Sequence, residues 1–217
     1  MSTGTAARSA ETRRRLLEAA VEVFAEEGFR NATLQEIARR ANANIAATSY
    51  HFRNKEGLYA AVFDYAERHA ATAESVSENG DGAASPEERL REHVTSFLSR
   101  LLDPSRPAHF ARLLARELVD PTPALDRVVR RRMRSNHERL SSILRELLGE
   151  DASDETVRLC TLSVIAQCTL YRNSAPILSR LYPELVPTKE IATLADHVTR
   201  FSLAAVRGIR EKKERRR

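Results

Sequence analysis

The chain has 217 residues, of which 42% are hydrophobic and 30% charged, and it contains only 7 Gly and 8 Pro. This length and apolar content allow one large domain or two small ones, and the dominance of Ala, Leu, Arg and Glu favours an all-α protein. No apolar run approaches the ~20 residues of a membrane span, and no apolar stretch follows the first basic residue as in a secretory signal.

The formal charge of +5 at pH 7 is concentrated at one end of the chain. Residues 207–217 contain seven basic and two acidic side chains, a difference of +5, and the preceding 206 residues contain 28 of each sign. The bulk charge therefore does not by itself indicate nucleic-acid binding. The basic tail, residues 211–217, suits a solvated helix C-terminus, with contact to nucleic acid as the alternative.

The two cysteines, Cys160 and Cys168, fall in one predicted helix. Eight residues of α-helix rise about 12 Å, which is too far for an intrachain disulfide. We therefore expect two reduced thiols in a cytoplasmic protein.

Residues 33–55 predict two short helices joined by a tight turn. Thr33 and Glu36 have the spacing of a capping box, in which each side chain accepts the backbone N–H of the other residue. Apolar residues at helical spacing then form one stripe on the first short helix: Leu34, Ile37, Ala38 and Ala41.

The turn and the second helix follow from two asparagines. Asn42 tolerates the positive φ with which a helix commonly ends, and Asn44 can cap a helix from Ile45 to about His51. Two helices joined by a turn of about three or four residues form a helix-turn-helix, whose second helix can enter the major groove of DNA.

Residues 11–65 resemble the N-terminal DNA-binding domain of TetR-family transcriptional regulators. Asn42 stands where that family usually has Gly, a change that a left-handed turn tolerates. The resemblance rests on an ordered series of small, aromatic and polar residues: Ala19, Phe24, Gly28, Phe29, Thr33, Ile37, Ala38, Ala41, Tyr50, His51, Phe52, Lys55, Glu56 and Leu58.

The segment from His109 to Pro123 resembles the CecR-type subgroup of the same family. Together the two resemblances imply a small DNA-binding domain, a larger helical body with a ligand pocket, and repression of transcription by a protein released from DNA by its ligand.

Apolar spacing, caps and chain breakers predict about nine helices. Helix 1 covers Ser9–Glu27 and ends at Gly28, helices 2 and 3 are the pair described above, and helix 4 begins at Lys55. A linker at residues 77–85 precedes five more: helix 5 after Ser85, helix 6 at about 108–119, helix 7 at about 123–148, helix 8 after Ser153, and helix 9 from Thr188 to about Arg210.

These elements predict four segments. They are a disordered N-terminus (1–8), a helix-turn-helix DNA-binding domain (9–56), a helical ligand-binding and dimerisation domain (57–210) and the basic tail (211–217).

The predicted recognition helix has one inward face and one face left for DNA. Ile45, Thr48 and Phe52 should pack inward. Small residues let a helix backbone approach base edges, whereas hydroxyl, imidazole and ammonium groups can bind phosphate. The predicted DNA-binding residues are Thr33, Asn44, Ala46, Ala47, Ser49, Tyr50, His51 and Lys55. For Tyr50 the alternative is an aromatic cap over the core of helices 1 to 4, and for His51 it is likewise a structural role.

We expect a homodimer, because one such domain buries too little surface to select a single double-stranded DNA operator. Predicted helices 8 and 9 are the candidates for dimerisation. From Ile191 to Val206, helix 9 carries too many apolar residues for one buried stripe, so one side can pack within its own subunit and the other against a partner.

Buried polar residues in a helical body suggest a pocket for a small-molecule effector of unknown identity. For Gln167 the alternative is a fixed internal hydrogen-bond network. The candidate lining residues are His93, Phe97, His109, Phe110, Leu113, Glu117, Gln167, Cys168 and Tyr171.

Two other classes of function compete with this hypothesis. An enzyme is disfavoured because the sequence contains no HExxH, GxSxG, Walker or GxGxxG pattern, and we expect no catalytic residue, metal or cofactor. A nucleoid protein without sequence preference would instead show steep salt dependence and no preferred site.

Overall fold

The computed structural model describes the backbone of residues 3–71, 84–103 and 108–214. These residues confirm the all-α class, with eleven α-helices where about nine were predicted. The helices are α1 (Thr3–Asn31), α2 (Leu34–Arg40), α3 (Ile45–Phe52), α4 (Lys55–Ala71), α5 (Pro86–Leu102), α6 (Ala108–Val119), α7 (Pro123–Val128), α8 (Arg134–Leu148), α9 (Asp154–Asn173), α10 (Ala175–Leu181) and α11 (Ile191–Glu214).

The chain divides into two compact units, each with its own hydrophobic core. The first unit comprises Met1–Ser75 and Arg106–Arg131, and the second comprises Val76–Ser105 and Arg132–Arg217. The first unit therefore contains α6 and α7 as well as α1 to α4. The predicted division after residue 56 differs, because α4, α6 and α7 share a core with the helix-turn-helix.

The ends of several helices differ from their predicted positions. α1 begins at Thr3 rather than Ser9, since Ala and Arg, which favour helix, precede Ser9. Residues 1–2 and 215–217 and most of the predicted linker lie outside the described residues. Gly28, with φ +81° and ψ 171°, interrupts the helical geometry at the predicted end of helix 1.

The helix predicted at about 123–148 is helical throughout but changes type within its length. A π-helical turn, Val129–Met133, lies between α7 and α8. This segment contains no Gly or Pro, so the sequence does not indicate the turn. Predicted helix 9 begins later than expected: Thr188 lies in a 3-10 turn, Pro187–Lys189, and α11 starts at Ile191. The short helix α10 lies between α9 and this 3-10 turn.

The first core lies around α1 and α4. The side chains of Leu16, Leu17 and Phe24 on α1 are no more than 1% exposed. On α4, two faces are buried rather than one, because α1 and α6 both pack against it. Its buried residues are Leu58, Tyr59, Val62 and Phe63.

The second core lies among α5, α8, α9 and α11. α5 begins with a capping box: the Glu88 amide donates to Ser85 Oγ (3.2 Å) and the Ser85 amide to Glu88 Oε2 (2.7 Å). Cys160 and Cys168 are free thiols, and burial raises the pKa of Cys168 to about 12. Within the described residues, no helix has both the length and the apolar character needed to cross a membrane.

We expect Gly57→Ala to destabilise the first unit. An ideal Cβ at Gly57 would lie 2.2 Å from the Phe52 carbonyl oxygen, so the start of α4 must move away from the end of α3. Overpacking of this kind costs about 1–3 kcal/mol of unfolding free energy. Urea denaturation measures the loss, with Glu56→Ala placing the same methyl group at the adjacent exposed position as the control. Equal midpoints for the two variants would contradict the close approach of α3 and α4.

Candidate DNA-binding surface

The helix-turn-helix is built by local hydrogen bonds. Thr33 caps α2, its Oγ1 accepting the Glu36 amide at 3.2 Å. The reciprocal half of the predicted capping box is absent, because the Glu36 carboxylate binds Arg39 and Arg40 instead. Asn42 has φ +47°, which confirms the left-handed turn.

The second helix begins as predicted. Asn44 Oδ1 accepts the Ala46 amide at 2.8 Å and so caps α3. α3 ends at Phe52, and the next residue, Arg53, has φ +68°. Asn54 Oδ1 accepts the Gly57 amide at 2.8 Å, and α4 follows at once. Only two residues therefore connect the recognition helix to α4.

The inward face of α3 is narrower than predicted. Thr48 and Phe52 are buried, but Ile45 is 45% exposed. As the first residue of α3, Ile45 lies at the end of the packed face, so its burial was wrongly predicted. Ala47 is half-buried against the first core instead. Of the eight predicted DNA-binding residues, Thr33, Asn44, Ala46, Ser49 and Tyr50 are exposed, and Ala47, His51 and Lys55 are half-buried.

Tyr50 is 81% exposed, so its ring does not cover the core. It meets the His51 ring edge-on, with centroids 5.0 Å apart. The half-buried His51 ring lies 6.0 Å from the ring of Phe52. Burial, and next the nearby Arg13, lower the pKa of His51, so its imidazole is neutral near pH 7.

Lys55 connects α4 to the end of α1. Its Nζ donates to the Arg30 carbonyl at 3.0 Å and lies 4.9 Å from the centroid of the Phe29 ring. Two of its three N–H donors are left for a phosphate. Lys55 is thus held in place at the first turn of α4, close to the recognition helix.

Most other cations of this region are neutralised within the protein. Arg39 and Arg40 both pair with Glu36, and these two arginines lower the pKa of that carboxyl to about 2. Arg30 pairs with Asp120 at 2.7 Å. Arg53 is exposed directly after α3.

The helix-turn-helix geometry has counterparts in known proteins. Residues 16–62 match the family described as bacterial regulatory proteins, tetR family. Residues 86–206 match the C-terminal domain of the HTH-type transcriptional dual regulator CecR.

The chain belongs to the TetR family. The dual regulator CecR of Shigella flexneri is 30% identical over 172 residues, which cover 75% of this chain and 76% of that protein. The HTH-type transcriptional repressor NicS of Pseudomonas putida is 27% identical over 226 aligned positions, covering 96% of this chain and 97% of NicS.

Solved structures show the same fold at low identity. A transcriptional regulator from Rhodococcus sp. Rha1 is 22% identical with a TM-score of 0.57, covering 89% of this chain and 96% of that one. HlyIIR, a hemolysin II transcriptional regulator, is 22% identical with a TM-score of 0.54, covering 85% and 97%. This TetR-family chain is an HTH-type, DNA-binding transcriptional regulator.

The predicted pocket residues divide between the two units. His109, Leu113 and Glu117 belong to the first unit, and the side chain of Phe110 lies outside the described residues. The other candidates belong to the second unit: His93, Phe97, Gln167, Cys168 and Tyr171. Among the described residues, no group of three or more His, Cys, Asp or Glu side chains is placed to hold a metal ion.

Glu117 has partners in its own unit. Its carboxylate is 1% exposed and accepts hydrogen bonds from Tyr59 Oη (2.8 Å), the Thr122 amide (2.8 Å) and Thr122 Oγ1 (2.9 Å). Burial, then the bond to Glu117, raise the pKa of Tyr59. Glu117 therefore joins α6 to α4 and to the start of α7.

Arg116 and Asp120 fasten the same end of α6 to α1. Arg116 Nε donates to the Ala25 carbonyl at 3.0 Å, and its Nη2 donates to the Glu26 carbonyl. A Cβ at Gly28 would lie 2.9 Å from Arg116 Nη1. No sequence pattern indicates these roles, because the partners lie 58 to 91 positions away. The bond from Thr122 is local, because Thr122 is also the N-cap of α7 and accepts the Ala124 amide.

We expect Tyr59→Phe to lower the unfolding free energy of the chain by about 1.5–3 kcal/mol, as for loss of a hydrogen bond to a charged group. Glu117→Ala should cost more, because three donors then lose their acceptor. Urea denaturation checks both, with the exposed Tyr50→Phe as the control. If Tyr59→Phe is no more destabilising than Tyr50→Phe, the bond does not stabilise α6 against α4.

Proposed function

We propose that this regulator is a homodimeric repressor that binds a near-palindromic operator through α3 and is released by a small-molecule effector. The observation that carries the proposal is the exposed face of α3, where Ala46, Ser49 and Tyr50 are exposed after the cap Asn44. The proposed contacts are Thr33, Asn44, Ala46, Ala47, Ser49, Tyr50, His51 and Lys55. No step requires catalysis, and binding to chromosomal DNA would place the protein in the cytoplasm.

The contacts have two kinds of task. Ala46 and Ser49 are small and exposed, so the α3 backbone can approach base edges, where an Ala methyl group suits a thymine methyl group. Thr33 and Lys55 lie at the N-termini of α2 and α4, where backbone amides and a side-chain donor favour phosphate. Phosphate contacts then fix how deeply α3 enters the groove.

Exposed apolar stripes on α9 and α11 support the homodimer. On α9, Leu159, Leu162 and Leu170 are about half exposed, at spacings of three and eight residues. On α11, Phe201 is 59% exposed, and small residues (Ala204, Ala205 and Gly208) continue its face. Paired on a two-fold axis, these stripes would form a four-helix interface.

His93 supports an effector site in the second unit. It is 7% exposed, and its Nε2 has no hydrogen-bond partner, which is costly for a buried polar atom. Burial, then Arg100 and Arg139, lower the pKa of His93 to about 4, so the ring is neutral near pH 7. An effector with a hydrogen-bonding group could satisfy this nitrogen.

The other residues predicted to line the pocket give less support to an effector site. Gln167 Nε2 donates to the Ser163 carbonyl (3.2 Å) and contacts Ser202 Oγ (3.5 Å), as expected for the fixed internal network. Cys168 is fully buried in the second core. Binding beside His93 would favour one arrangement of the second unit and so shift the population of DNA-competent dimers.

Activation of transcription is the alternative outcome for the same DNA-binding geometry. The relative CecR is named a dual regulator, whereas NicS is named a repressor. Transcription from the promoter of its own gene, measured with and without the protein, distinguishes the two.

We expect Tyr50→Ala to weaken operator binding by about tenfold or more, since loss of one base or phosphate contact costs roughly 1–3 kcal/mol. A gel shift with the DNA that flanks the gene, in the presence of scrambled competitor, measures it. Tyr182→Ala removes an exposed tyrosine of the second unit and serves as the control. Equal affinity of wild type for operator and scrambled DNA would instead indicate a nucleoid protein.

We expect Phe201→Glu to convert the dimer to a monomer, because a carboxylate in an apolar interface has no partner. Sedimentation velocity measures the mass. Leu118→Glu, which changes a leucine that is 65% exposed on α6, should leave the dimer intact. A Phe201→Glu chain that still sediments as a dimer would exclude α11 from the interface.

A further inference from the structure

The surface around the recognition helix includes Arg13, a cation of α1. Arg13 lies on α1, four residues before the buried Leu17 and seven before the buried Ala20. Arg13 therefore lies on the same side of α1 as these buried residues, one turn closer to the N-terminus. At this position its guanidinium lies 5.2 Å from the centroid of the Phe52 ring.

Arg13 is available to bind an anion. Among the described residues, no carboxylate pairs with it, and its side chain is exposed. Its neighbour Arg14 differs: it pairs with Glu11 and with Glu18, each at 2.6 Å. One of two adjacent arginines is thus neutralised within the protein, while the other keeps its charge beside the end of α3.

The stacking on Phe52 fixes where that charge lies. A guanidinium on an aromatic face gains about 0.5–1 kcal/mol at an exposed site, and its N–H donors lie in the guanidinium plane. Phe52 is the last residue of α3, directly after the proposed contacts Tyr50 and His51. The field of Arg13 acts on the His51 ring, which it helps to keep neutral.

We propose that Arg13 is a DNA-binding residue, positioned by Phe52 to bind a backbone phosphate beside the groove that α3 enters. A phosphate offers oxygens to several of the planar N–H donors at once, a match that guanidinium makes better than ammonium. This proposal rests on operator binding through α3, and it adds α1 to the surface that touches DNA.

The test compares Arg13→Ala with Arg14→Ala in the full chain, by gel shift on the operator at several salt concentrations. Arg13→Ala should weaken binding about tenfold or more and reduce the slope of log affinity against log salt by about 2, because each subunit of the dimer loses one phosphate contact. Arg14→Ala should change neither, although it removes the same formal charge. Arg13→Lys should recover only part of the affinity.

Four outcomes overturn the proposal. The first two are operator affinity of Arg13→Ala equal to that of the wild type, and an equal loss of affinity in Arg14→Ala. The third is full recovery of affinity in Arg13→Lys. The fourth is a loss of affinity in Arg13→Ala that occurs only with operators carrying particular base substitutions. Urea denaturation of each variant shows whether the fold is retained, and Arg13→Lys provides the comparison if Arg13→Ala is destabilised. If the wild type itself binds no operator, the proposed function fails, whereas wild-type binding unaffected by Arg13→Ala removes only the role of Arg13.

Discussion

One buried carboxylate, that of Glu117, connects α6 to α4 and to the start of α7 in the first unit. Removing Glu117 from water is costly, and the cost is offset only if donors surround it. Tyr59 on α4 and Thr122 before α7 supply three such donors. Hydrogen bonds are directional, so they fix both the depth and the rotation of α6 against α4, which a purely apolar contact leaves less defined.

The position of the recognition helix depends on that arrangement. Only two residues join α3 to α4, and the Phe52 carbonyl lies against the start of α4. A change in the direction of α4 therefore changes the direction of α3 as well. Arg116 adds a second attachment by taking carbonyls near the end of α1, so α1 and α4 are both held by the last turn of α6.

The fold could be predicted from sequence wherever the cause is local. The turn at Asn42, the caps Thr33 and Asn44, and the Ser85 capping box each involve groups within three residues of one another. Glu117 is one of the polar residues from which a pocket was predicted, and no pattern in the sequence indicates its bond to Tyr59, 58 positions earlier. Ile45 was misplaced for another reason, since helical spacing does not show where a packed face ends.

The first unit is discontinuous in the chain, and this has a consequence for how it forms during synthesis. The ribosome releases α1 to α4 first, but Leu113, Val128 and the Glu117 carboxylate emerge only after α5, which belongs to the other unit. Until then Tyr59 and part of the face of α4 lack their partners. A nascent chain should therefore gain a stable DNA-binding unit late, and a gene fusion that joins residues 1–75 to an unrelated partner would omit part of its core.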